Sequence, residues 1–86
     1  MSGWKNAGNR VSTVLGRKLG GELMRLRMAS GKSRPDAANA LSAHQTKLVK
    51  MESGWVPMRD PDIRALCAFY GLADEAELQS LLDLAK

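Results

Sequence analysis

The residues of this chain best suited to chemistry lie between Ser33 and Gly54, in SRPDAANALSAHQTKLVKMESG. Gln45, Thr46, Lys47 and Lys50 place an amide, a hydroxyl and two ammonium groups within six consecutive positions. Groups of this kind hydrogen-bond and pair with charge. Candidates for catalysis are scarcer. The one cysteine, Cys67, excludes an internal disulfide, and with the one histidine, His44, it falls short of a metal cluster of usual spacing. Cys67 lies on an apolar helical stripe and reads as a buried, unreactive thiol. There is no His/Cys/Asp cluster and no Gly-rich phosphate loop, and 86 residues form one small domain, too small for most enzymes with a substrate pocket. The expectation is a binding protein, not an enzyme, with no cofactor and no metal.

The charge pattern indicates what is bound. From Met1 to Ser53 ten Lys or Arg face three acids, a balance of +7, whereas from Gly54 to Lys86 three basic residues face six acids, a balance of −3. A polyanion would meet the N-terminal half and be repelled by the rest. A short helix pair with a basic second member is how proteins reach into DNA, and here the charge coincides with such a pair. No apolar run is long enough to span a membrane and the N-terminus lacks the apolar core of a signal peptide, so the expectation is a cytoplasmic protein with no membrane partner.

Five helices must position these groups. Hydrophobic residues at 44% with only 5% aromatic, and little period-two alternation, favour an all-α fold. Residues 1–13, with two Gly, two Asn, Trp4, Lys5 and Arg10, have no periodicity and read as a flexible tail; residues 14–86 form the domain. Leu15, Leu19, Leu23 and Leu26 recur at helical spacing and predict a first helix from about Leu15 to Ala29. Gly20 and Gly21 weaken that helix by roughly 1 kcal/mol each, and Gly31 ends it as a left-handed cap. Ser33 caps the second helix, with Pro35 and Asp36 in its first turn. Ser42 and Ala43 turn the chain into a third helix of about His44 to Glu52, closed by Gly54. Asp60-Pro61 starts a fourth helix with Ile63, Leu66, Cys67 and Tyr70 on one stripe, stopped at Gly71. Asp74 starts a fifth, with Glu77 as the far member of an acidic capping box and Leu78, Leu81, Leu82 and Ala85 as its stripe.

From Leu19 to Leu72 the chain resembles the helix-turn-helix domain of the phage-repressor class, the xenobiotic-response-element regulators of bacteria. RKLGGELMRLRMASGKS, KLVKMESG and DIRALCAFYGL are similar to the N-terminal domains of actinobacterial members. In that narrower group a larger C-terminal domain usually follows, so the chain is a short stand-alone member or a piece of a longer one. The resemblance implies a five-helix, lambda-repressor-like fold with the second and third helices as the helix-turn-helix.

It also implies roles for particular residues. In this class the third helix lies in the major groove, and its outward positions, here Gln45, Thr46, Lys47 and Lys50, reach base edges. Gln45 matches the N6 and N7 edge of adenine, Lys50 guanine O6 or N7, and the Thr46 methyl thymine; Lys47 suits a phosphate equally. Lys32, Ser33 and Arg34 at the start of the second helix, and Ser53, Gly54 and Trp55 after the third, are the implied phosphate clamp. His44 stands where the class usually has a Ser or Thr cap and reads first as a neutral cap, second as a phosphate contact. Arg34 and Trp55 depart from the usual Gln and basic residue. Arg34 adds non-specific attraction and gives up a hydrogen bond that would orient Gln45, while Pro35 shortens the second helix. Arg27 and Glu52 match a buried ion pair whose loss of one partner costs about 3 to 5 kcal/mol.

The function expected is a sequence-specific DNA-binding transcriptional regulator of double-stranded DNA, acting as a homodimer on a palindromic site. The alternative is a protein-interaction module, antitoxin-like or a regulator's partner, that uses the same fold to bind a protein through helices four and five. Trp55, Val56 and Met58 form an apolar loop cluster that is either the dimer surface or folds back on the fourth helix.

Overall fold

The computed structural model describes residues 14–85. The tail expected over 1–13, with Trp4, Lys5 and Arg10, and the terminal Lys86 lie outside the described residues. Five helices follow in order: α1 Val14–Ala29, α2 Arg34–Ala40, α3 Gln45–Glu52, α4 Asp60–Phe69 and α5 Glu75–Leu84. Among the described residues there is no strand, so the fold is all-α, as the composition and the resemblance implied.

Local chemistry places the helix ends. Gly31, Gly54 and Gly71 have φ of +75°, +79° and +81°, the left-handed geometry that closes α1, α3 and α4. The hydroxyl of Ser33 accepts from the Asp36 N–H, and Asp74 accepts from the N–H groups of Ala76 and Glu77. The capping box at α5 is completed differently from expectation. The Glu77 carboxylate accepts from Arg25 on α1 at 2.9 Å, because α1 packs against α5 and offers a cation there. The turn between α2 and α3 reverses at Ser42, a non-glycine residue with φ of +54°, and the Ala43 N–H donates to the Ala38 carbonyl at 2.9 Å.

The core is a single cluster drawn from every helix: Leu19 and Leu23, Ala37 and Ala38, Leu48 and Met51, Ile63, Leu66 and Cys67, and Leu81 and Leu82. Small residues on α2 let it lie close on α3 and α4, while α1 crosses α3, α4 and α5. The expected leucine stripe of α1 begins one turn later than its spacing suggests: Leu15 is 50% exposed. The backbone at Gly54 lies against that turn at Gly16 and Arg17. The same contact fixes Gly54, since a Cβ there would stand 2.7 Å from the Arg17 nitrogen. Of the loop cluster, Met58 joins the core and Val56 packs partly against it, whereas Trp55 remains 50% exposed. Among the described residues no helix is long and apolar enough to cross a membrane.

Candidate nucleic-acid interface

α3 divides cleanly between core and surface. Leu48 and Met51 are fully buried, and Gln45, Thr46, Lys47 and Lys50 are exposed. The core side of the helix is thus anchored by two large side chains while its polar side stays available. Gln45 and Lys50 have no side-chain hydrogen bond or ion pair among the described residues, so their donors and acceptors are free for a ligand. Lys47 is not: its ammonium lies 3.8 Å from the carboxylate of Asp62, in the first turn of α4. Val49, a residue outside the expected set, is 41% exposed on the same helix.

Both ends of α3 are closed by side chains from the expected set. His44 is the residue before the helix, and its Nδ1 accepts from the Thr46 N–H at 3.2 Å, which satisfies one of the free amides of the first turn. The Thr46 hydroxyl lies 3.2 Å from the same nitrogen. His44 is therefore a cap, the first of its two expected readings. At the other end the Ser53 hydroxyl donates to the Val49 carbonyl at 2.9 Å, and the Trp55 N–H donates to the Lys50 carbonyl at 2.9 Å across the left-handed Gly54. The carbonyls of Val49, Lys50 and, through the Gly54 N–H, Met51 are thus paired.

Behind this end lies a buried ionic cluster. The Glu52 carboxylate accepts from Arg27 Nε at 2.7 Å and from Arg27 Nη2 at 3.3 Å, with both side chains buried. A third donor comes from Arg34, whose Nε lies 3.1 Å from Glu52 Oε1. Arg27 also donates through Nη1 to the Lys32 carbonyl at 3.1 Å, so it joins α1, the loop before α2 and α3. The resemblance implied the Arg27–Glu52 pair and not the second arginine. Tyr70 sits near this cluster, its hydroxyl buried without a hydrogen-bond partner among the described residues. Burial, with the Glu52 carboxylate adding to it, pushes the Tyr70 phenol up to about 12.

The residues expected to clamp phosphate are brought only partly together. The bond from Arg34 to Glu52 sets the start of α2 beside the end of α3, with Ser33 and Ser53 exposed there, whereas Gly54 is buried against Gly16 and Arg17. Lys32 turns elsewhere, with its ammonium 5.1 Å from the centre of the Phe69 ring on α4. His44 lies at the opposite end of α3. The sequence reading missed Asp62 and the close approach of α1 to α3 at Gly20, where a Cβ would stand 2.6 Å from the Met51 carbonyl oxygen. A glycine beside the buried Leu19 was the available signal for the second; the pairing of Asp62 with a lysine fifteen residues earlier had none in the local pattern.

No curated protein and no solved structure matches this chain. A family model described as a helix-turn-helix domain matches residues 18–81, from the first third of α1 into α5, and so takes in the α2–turn–α3 unit and the ionic cluster behind it. With that match spanning most of the chain, the protein belongs to the helix-turn-helix domain family, a family of DNA-binding domains.

Proposed function

We propose that this protein is a sequence-specific transcriptional regulator that acts by occupying DNA, with α3 as the helix that reads the major groove. The observation that carries the reading is the division of α3, whose buried Leu48 and Met51 oppose an exposed row of Gln45, Thr46 and Lys50. The free Gln45 amide can donate to adenine N7 and accept from N6 at once when it meets that edge, with Lys50 directed to guanine O6 or N7 and the Thr46 methyl to thymine. Ser33, Ser53 and Trp55 are exposed around the joined ends of α2 and α3, where a phosphate would pass. Two copies on a palindrome, with half-sites about one helical turn apart, complete the geometry.

Selection from a random duplex pool, followed by a salt titration of the enriched site, tests this. The expected result is one enriched palindrome whose affinity falls with salt by about 0.9 log units per log unit for each phosphate neutralised. A pool left unenriched, or binding indifferent to salt, overturns it. A second reading rests on Trp55, a large apolar side chain left half exposed in the loop before α4: a module that binds a protein partner through α4, α5 and this loop. Comigration with such a partner on gel filtration without DNA would favour it.

A further inference from the structure

We infer that Arg34 is a positioning residue for α3, not a phosphate contact. The inference rests on the DNA-binding reading above. Arg34 opens α2, and its Nε donates to Glu52 Oε1 at 3.1 Å, at the last residue of α3. Its Nη2 lies 3.9 Å from the sulfur of Met24 on α1. One side chain thus spans the outer ends of the two helices of the unit and touches the helix behind them. The acceptor it uses is no surface carboxylate: the Glu52 side chain is 4% exposed and already holds Arg27. A carboxylate that buried has few hydrogen-bonding alternatives, and a guanidinium directed through Nε has a defined plane and a defined approach.

The need for such a strut follows from the rest of the unit. α2 has seven residues and buries only Ala37 and Ala38, with its capping Leu41 packed partly against the core, so little apolar surface holds it. The turn that links it to α3, residues 41–44, reverses at one left-handed residue, Ser42. That turn joins the near ends of the helices, and Arg34 joins the far ends. With both ends tied, the angle between α2 and α3 is set, and with it the direction in which Gln45 and Lys50 face. Gln45 has no side-chain support of its own among the described residues, so its aim depends on how the whole helix is held.

Two variants separate positioning from phosphate contact. Arg34→Lys keeps the charge and loses the Nε geometry; Arg34→Met loses both and brings no amide to Gln45. Each is measured for affinity to the duplex that the parent enriches from a random pool and to a scrambled duplex, over a range of salt. A positioning role predicts that both variants lose about tenfold in the ratio of enriched to scrambled affinity, the size of one lost base contact, with the salt slope of the parent retained. If Arg34→Lys behaves as the parent while Arg34→Met weakens both duplexes equally and lowers the slope by about 0.9, Arg34 contacts phosphate and the inference is overturned. Parent ratio and parent slope in both variants overturn it too. Because Arg34→Lys retains the charge beside Glu52, it decides the question should Arg34→Met unfold. A parent that enriches no duplex brings down the DNA-binding reading itself, which is a different result from a parent that discriminates and variants that match it.

Discussion

Arg27 and Glu52 meet face to face in the interior, Nε to Oε2 at 2.7 Å and Nη2 to Oε1 at 3.3 Å, and so tie α1 to the last residue of α3. The pair is desolvated on both sides, which makes it costly to break and of modest net value when intact. Because Arg34 also reaches Glu52, the two partners are not equivalent. Glu52→Ala strands the buried Arg27 guanidinium and frees the partly exposed Arg34, whereas Arg27→Ala leaves the carboxylate one donor. Chemical denaturation should show Glu52→Ala destabilised by about 3 to 5 kcal/mol and Arg27→Ala by less. Equal losses would mean that Arg34 contributes nothing to holding the carboxylate.

Gly20 and Gly21 are adjacent in sequence and opposite in consequence. A Cβ at Gly20 would press on the carbonyl oxygens of Met51 and Glu52, so Gly20→Ala must push α1 off α3, at a cost of about 1 to 3 kcal/mol. At Gly21 nothing lies within 4 Å, so Gly21→Ala gains helix propensity and stabilises by up to about 1 kcal/mol. Thermal melts of the two variants, run side by side, should shift in opposite directions.

Tyr70 is the one tyrosine, so the absorbance of its ionising phenol can be followed without interference from another. Its midpoint should lie near about 12 in the folded protein, against an ordinary 10.0 in the unfolded chain. The raised value means that the folded state holds the proton more tightly. The stability this contributes is fully present below pH 10 and is lost as pH rises towards 12. Tyr70→Phe should flatten that loss. At neutral pH the same substitution should be neutral or slightly stabilising, because the hydroxyl it removes is buried without a partner among the described residues.

Asp62 competes with any anion for Lys47, which it approaches to 3.8 Å. Asp62→Asn frees that ammonium and removes a negative charge from the flank of α3. DNA should bind several-fold more tightly, with a salt slope steeper by about 0.9 if Lys47 then neutralises one further phosphate. The price is the favourable interaction of Asp62 with the α4 N-terminus, about 0.3 to 1 kcal/mol of stability. Unchanged affinity in a salt titration would show that Lys47 stays clear of the nucleic acid.

The elements were legible because their signals are short-range. Gly31, Gly54 and Gly71 mark helix ends through the φ that only glycine adopts freely, and Ser33 and Asp74 cap through bonds made within three residues. The spacing of Leu19 and Leu23, Leu48 and Met51, and Ile63, Leu66 and Cys67 assigned the core faces for the same reason: each repeat lies within two turns of its own helix. His44 as cap and the exposed row of α3 were readable in this way too.

The sequence by itself therefore determined the five helices, their buried faces and the polar row on α3, because each rests on contacts within a few residues along the chain. Tertiary structure alone decided which charged side chains are already engaged and where backbones touch. Arg34 reaches Glu52 across eighteen positions, Lys32 reaches Phe69, and Arg25 draws Glu77 away from its expected role at the start of α5. Leu15 and Trp55 stay exposed although their residue types suit a core, and Gly20 proves to be a contact point, not a weakness. The physical reason is that the packing of the helices, which local spacing does not fix, decides which backbones meet and which side chains are covered. A long ionic or aromatic side chain has several partners that local spacing permits, and only the packing of the helices decides which of them comes within reach.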